Sequence, residues 1–361
     1  MPSRTPLLAQ PSAWLDRVDP GTHRRIKGLR LVTAYGIAAM LGTLLGASYG
    51  LSHGALLGSL AAGFALWASV SEAQSTRAAS TTALLLLCTA AVVGAISMIS
   101  LSPALGRSRW LGPELVLVTG AFLVGYLKRY GVLGAGIGSQ IYIGQLLAYT
   151  AGLHNRADIW TVAVAGVIAA IASVVPRVLS GPAEHPVVAT GDTSTQLDGG
   201  PPRELRMGLQ AAIAALVIVL LNDIVKMEES VWAITACTYV IAGSTHGTLD
   251  RVWRRAIGTI IGVPLGLACL PIALHVPIIA WLLAAIAMIV YAMALPERYD
   301  IACGAYAFTL IITLEVSGES STIVLASRAW ETLIGGALGL ATALLILPLR
   351  KPGPNTTISP A

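Results

Sequence analysis

GTLDRVWRRAIGTIIG, residues 247–262, gathers Asp250, Arg251, Arg254 and Arg255 within six positions of a chain that is only 11% charged. Apolar stretches flank it on both sides. A soluble domain of this size carries about a quarter charged residues. Here 55% of the residues are hydrophobic and the mean hydropathy is +0.74. That balance predicts a polytopic membrane protein. Lys and Arg outnumber Asp and Glu by 23 to 18. The basic residues stand singly or in short clusters between apolar runs, so the excess excludes nucleic acid as a partner and follows the positive-inside rule instead.

The apolar runs have the length of a bilayer-crossing helix, about 20 residues. Six fall at approximately 31–50, 54–70, 82–102, 112–127, 131–151 and 157–179. Six more fall at approximately 207–225, 231–247, 256–274, 277–295, 301–316 and 322–348. They are continuous rather than alternating, which disfavours a β-barrel. The expected fold is an all-α polytopic membrane protein of about twelve transmembrane helices. With a cytoplasmic N-terminus, only Arg107, Arg109, Arg156, Lys226 and Arg328 of the 23 basic residues fall on the outer side. The bias supports the count and the orientation together. The opening cluster then lies in the cytoplasm between the eighth and ninth helices. Asp250, Arg251, Arg254 and Arg255 read first as a topology anchor at anionic lipid, with a cytoplasmic mouth that draws in organic anions as the compatible second reading.

Residues 1–30 contain five basic residues from Arg17 to Arg30 but no apolar core, and read as a cytoplasmic lead-in without a cleavable signal. Residues 31–179 form one membrane half and 205–349 the other. The stretch 180–204, rich in Gly, Pro and Thr, is a flexible cytoplasmic linker, and 350–361 a disordered cytoplasmic tail. RADIWTVAVAGVIAAIASVVPR from Arg156 and RAWETLIGGALGLATALLILPL from Arg328 both open on Arg-Ala and place a Pro 20 residues later. LRLVTAYGIAAML from Leu29 and LRMGLQAAIAALV from Leu205 give a second pairing. Two parallel six-helix repeats follow, related by an axis along the membrane normal. Glycines four apart, at 42, 46 and 50 and at 258, 262 and 266, form seams for close helix approach.

Candidate substrate-binding residues are those whose polarity is out of place. Arg156 and Arg328 stand on the outer side at helix starts. Tyr142, Gln145 and Tyr149 share a face of the fifth helix, and Tyr306, Thr309 and Thr313 a face of the eleventh. Such stripes need a polar neighbour or a wet cavity. Glu315 and Glu331 are the candidate proton-coupling groups, and Glu331 can also pair with Arg328 one turn away. The four cysteines lie in apolar runs without metal or redox spacing. No metal site, cofactor motif or catalytic motif is legible, so no enzymatic activity is expected.

RVWRRAIGTIIGVPLG, the Trp that opens SVWAITACTYV, and SRAWETLIGG with Arg328, Glu331, Thr332 and Gly335 resemble, in that order, the fusaric acid resistance-like family of bacterial aromatic acid exporters. The resemblance covers roughly 203–350 closely and 24–180 more loosely. It implies a multi-pass inner-membrane secondary transporter that exports small organic anions, aromatic carboxylates among them, and is driven by the proton motive force. Many family members carry a large soluble region between the halves. Here about 25 residues join them, so no periplasmic adaptor is carried over. The expected partners are the organic anion and membrane lipid, and a homo-oligomer is compatible with both. A passive organic-anion channel and a major facilitator type transporter are the alternative readings; the cytoplasmic Gly247, Asp250-Arg251 and Arg254-Arg255 resemble the latter's loop signature.

Overall fold

The computed structural model describes residues 19, 23–48, 54–74, 76–105, 112–180, 202–225, 227, 230–295, 297–316, 322–346 and 348. Among them the regular structure is entirely helical. The first set is α1 (His23–Ser48), α2 (Gly54–Ser71), α3 (Arg77–Leu105), α4 (Leu115–Tyr126), α5 (Gly131–Thr150) and α6 (Asp158–Leu179). The second set is α7 (Arg203–Val225), α8 (Ser230–Val240), α9 (Thr245–Ala268), a single turn and a half α10 (Leu270–His275), α11 (Pro277–Ala294), α12 (Tyr299–Val316) and α13 (Thr322–Leu345). Six helical segments are long and apolar enough to cross a membrane: His23–Ser48, Arg77–Leu105, Leu115–Thr150, Asp158–Leu179, Arg203–Asn222 and Pro277–Ala294. The third of these folds back on itself as α4 and α5. The reversal follows the 3-10 turn Leu127–Tyr130, at Gly131, whose φ of 74° suits glycine. This is the make-up of a multi-pass membrane protein.

Within the first set α3 packs on α5 and α6, and α2 on α1 and α6. Within the second set α9 packs on α12 and α13, and α8 on α7 and α13. Across the sets α4 lies on α7 and α11 lies on α1. One apolar core fills the first set, centred on Phe64, Leu87, Met98 and Ile99. A second core joins the sets, with Leu117 and Tyr142 from α4 and α5 against Ala214, Ile218 and Ile234 from α7 and α8.

Where helices meet most closely the residues are small, because without a hydrophobic drive in lipid, helices associate through backbone proximity and packing. A methyl group on Gly262 of α9 would sit 2.3 Å from the Gly304 carbonyl oxygen of α12. One on Gly144 of α5 would sit 1.9 Å from the Ala91 carbonyl of α3.

The quoted stretch turns out not to be a loop. α8 has 11 residues, about 16 Å of helix, and the chain then leaves helical geometry at 241–244. α9 starts at Thr245, well ahead of its apolar part, so the Asp250–Arg255 cluster rides on its first three turns. A non-helical break leaves carbonyls that hydrocarbon cannot solvate, and side chains meet two of them. Arg203 Nε donates to the Gly243 carbonyl at 2.9 Å, and Arg251 Nη1 to that of Ile241 at 3.4 Å. The Thr248 hydroxyl accepts from Ala242 N at 3.0 Å, and the Ser244 hydroxyl caps α9 by accepting from Gly247 N at 3.1 Å. The joint after α2 is held in the same manner, with Lys27 Nζ donating to the Glu72 carbonyl at 2.7 Å.

The α9–α12 contact can be tested by volume. Gly262→Val is expected to cost about 1–3 kcal/mol through overpacking, read as a lower melting temperature of the purified protein. Gly36→Ala, where an added methyl meets nothing within 4 Å, is expected to be neutral or stabilising by up to about 1 kcal/mol. Equal responses would refute the seam.

Candidate functional site: a cavity between the two helix sets

A cavity of about 780 Å³ lies where α1, α2 and α5 face α8, α9, α11, α12 and α13. It falls within the range of roughly 300–1,000 Å³ typical of small-ligand sites. Its rim holds Asp250, Arg254 and Glu297, all at the surface, so it opens at the end of the molecule where the basic residues collect. There Arg254 Nε pairs with Asp250 at 2.8 Å, and its Nη1 donates to the Glu297 carbonyl at 3.2 Å. Arg24 of α1 pairs with the Glu297 carboxylate, tying the two sets together beside the opening.

Deeper in, Arg255 projects from α9 into the wall. Its Nη1 donates to the Tyr299 hydroxyl at 3.4 Å, while its Nε is enclosed without an acceptor. Among the described residues no carboxylate pairs with it. A guanidinium whose hydrogen-bond partner among the described residues is a phenol has donors that can take an anion. Arg328 of α13 also lines the cavity, its guanidinium carbon 4.3 Å from the centre of the Trp232 ring in a cation–π contact.

The walls between these cations are aromatic. Trp67, Tyr291 and Tyr306 form a cluster with centroid separations of 5.5–6.3 Å, mostly edge to face. Tyr239 contributes a hydroxyl bonded to Ser139 at 2.7 Å. Thr309 and Thr313 return their hydroxyl protons to their own helix, to the Ala305 and Thr309 carbonyls at 2.9 Å. Both residues line the cavity. The site offers cations for one pole of a ligand and ring faces for the rest.

Of the residues singled out by sequence, Arg328, Tyr306, Thr309, Thr313, Asp250, Arg251, Arg254 and Arg255 line this cavity. Of the α5 stripe, which also carries Ser139, only Ser139 lines it; Tyr142, Gln145 and Tyr149 do not. Tyr142 is fully buried, its hydroxyl bonded to Thr235 at 2.8 Å. Gln145 bonds Ser97 and Thr119, at 3.2 and 3.1 Å, inside the first set. Tyr149 donates to Glu114 at 2.8 Å, and Glu114 also receives Asn222 of α7. That stripe is answered by polar neighbours rather than by water. Arg156 is exposed just before α6, away from the cavity. Glu315 and Glu331 are buried near it but do not line it.

Sequence reading missed Trp67, Tyr239, Tyr291 and Tyr299, and placed Arg255 only at a mouth. The i, i+4, i+7 spacing of Tyr299, Cys303 and Tyr306 was a readable signal of one shared helix face.

Tyr142→Phe separates packing from function. It is expected to lower stability by about 1 kcal/mol and to leave benzoate binding by calorimetry unchanged. Weakened binding would return Tyr142 to the site.

Comparison with known proteins is sparse: no curated protein and no solved structure matches the chain. The second helix set is the exception, for residues 213–342 match the family model described as fusaric acid resistance protein-like, and the resemblance read from the sequence holds over that segment.

Proposed function

We propose that the protein is a secondary transporter that exports small organic anions, aromatic carboxylates among them, across the bacterial inner membrane at the expense of the proton gradient. The observation that carries this reading is Arg255, a cation without a carboxylate partner among the described residues, in a cavity walled by Trp67, Tyr291 and Tyr306. The family match over 213–342 supports it. In the proposed topology the twelve helices other than α10 make up the membrane passages of two parallel repeats, with the basic end in the cytoplasm. Three features favour the repeat. The neighbour pairs α3–α5 and α9–α12, like α2–α6 and α8–α13, recur in the same order. The contacts between sets, α4 on α7 and α11 on α1, are those a twofold axis exchanges. Lys27 and Arg203, which align when Leu29 is set on Leu205, each donate to a carbonyl just past the second helix of their set.

The proposed cycle begins with the cavity open to the cytoplasm. The rim cations draw in a carboxylate, Arg255 and Arg328 take its oxygens, and its ring settles on the aromatic cluster. At the opposite end the Glu114–Asn222 contact between α4 and α7 keeps the sets together. Glu315 is assigned the coupling role: it is 7% exposed on α12, and its Oε2 has no hydrogen-bond partner. Proton loss and gain there would alternate a charge beside the Thr309–Thr313 face.

In proteoliposomes, benzoate flux is expected to respond to an imposed pH gradient at fixed voltage. Arg255→Gln is expected to lower flux per molecule by about tenfold or more, as loss of a charge-assisted pair implies. Arg328→Lys keeps the charge but loses the planar fork, and is expected to lower turnover at normal abundance. Arg156→Lys serves as the unaffected control. Flux that ignores the pH gradient and follows voltage would establish the passive channel instead.

The orientation has its own test. A cysteine placed at Trp253, which is exposed on α9, is expected to resist a membrane-impermeant thiol reagent added outside intact cells. Clear labelling there would overturn the topology.

A further inference from the structure

A second group of buried charges lies outside the cavity, at the basic end of the first helix set. Arg177, in the last turn of α6, is 2% exposed. Its Nε donates to the Ser80 hydroxyl at 2.7 Å, and Ser80 passes its own proton to the Glu72 carboxylate. Glu72 is already engaged, since the same carboxylate oxygen accepts Gln74 N at 2.7 Å. The two outer nitrogens of Arg177, Nη1 and Nη2, are enclosed and have no hydrogen-bond partner. Among the described residues no carboxylate pairs with them. Arg30 of α1, itself 9% exposed, lies within electrostatic range of both Arg177 and Glu72, and Lys27 sits one turn before it. Three cations therefore surround one carboxylate.

The joint between α2 and α3 does not require this arrangement. Its counterpart between α8 and α9 is closed by Arg203, Thr248 and Arg251. Where Pro176 is set on Pro348, the position matching Arg177 is Leu349. A guanidinium buried with its fork unpaired is costly and rarely kept without a ligand. The fork presents two parallel N–H donors, the pattern that binds phosphate oxygens side by side. Arg177 lies two residues from the end of α6 and Arg30 seven from the start of α1, about 3 and 10 Å from the helix ends. That is the level at which lipid headgroups meet a membrane protein.

We infer that Arg177, with Arg30 beside it, binds a phosphate-type oxyanion between α1, α3 and α6, carried by an anionic lipid headgroup or by free phosphate. The site does not depend on the transport reading, because none of its residues lines the cavity.

The test uses the purified full-length protein in neutral detergent, with thermal unfolding as readout. One arm compares mixed micelles containing phosphatidylglycerol with micelles containing phosphatidylcholine. The other compares inorganic phosphate with chloride at matched ionic strength. A ligand well above its dissociation constant is expected to raise the melting temperature by about 5 °C, and Arg177→Gln is expected to abolish the rise. A rise only with phosphatidylglycerol identifies a lipid headgroup; a rise with inorganic phosphate identifies a soluble anion. Should Arg177→Gln fail to fold, Arg177→Lys keeps the charge without the fork and is expected to lose most of the rise. No rise in either arm, or an undiminished rise in the Arg177 variants, overturns the site.

Discussion

A backbone amide in hydrocarbon has no water to turn to, and every departure from helix must be answered by a side chain or another strand of backbone. The break at 241–244 is the place where this constraint shapes the molecule. Arg203 and Arg251 go to the Gly243 and Ile241 carbonyls within the break, and Ser244 restarts the chain as α9. The early restart gives α9 three polar turns before its apolar stretch begins. Its helical phase then carries Arg254 to the rim and Arg255 into the wall of the cavity. The charges at 250–255 thus divide their work among closing a broken helix, lining an opening and standing in the wall of the cavity.

Close packing sets the other boundary of the site. Gly262 against Gly304 lets α9 and α12 approach until backbone touches backbone, which brings Arg255 within reach of Tyr299. On the other side Gly144 lets α5 settle against α3, turning Gln145 toward Ser97 and Thr119 rather than toward the cavity. Two stripes that look alike in sequence therefore have opposite fates. The α12 stripe lines the cavity, while Tyr142, Gln145 and Tyr149 of α5 are absorbed by polar partners, Thr235 of α8 among them.

Polar groups that are satisfied within the protein and polar groups that are left for a ligand differ only in their surroundings. Tyr142 with Thr235, and Tyr149 with Glu114, complete each other's hydrogen bonds. Arg255 and Arg177 do not find acid partners among the described residues, and they sit in different halves at different depths. The first belongs to a roomy aromatic cavity and the second to a tight joint near the helix ends, so the two cations suit different anions.

Composition and hydropathy by themselves determined the class of this protein: a helical, multi-pass membrane chain whose charges are too few to be spent at random. They determined the apolar runs too, since burial in lipid requires about 20 apolar residues whatever the packing. The motif order of the second half was enough to mark its family resemblance. Tertiary structure alone decided where α9 begins, because the break after α8 is held by Arg203 of α7, which meets the Gly243 carbonyl only once the two helices pack side by side. It alone decided which face of each helix looks into the cavity. Trp67, Tyr239 and Tyr291 are isolated aromatics in apolar runs, and they become one wall only when α2, α8 and α11 converge. Hydropathy averages over the turn of a helix, whereas a site is made by the direction in which single side chains point.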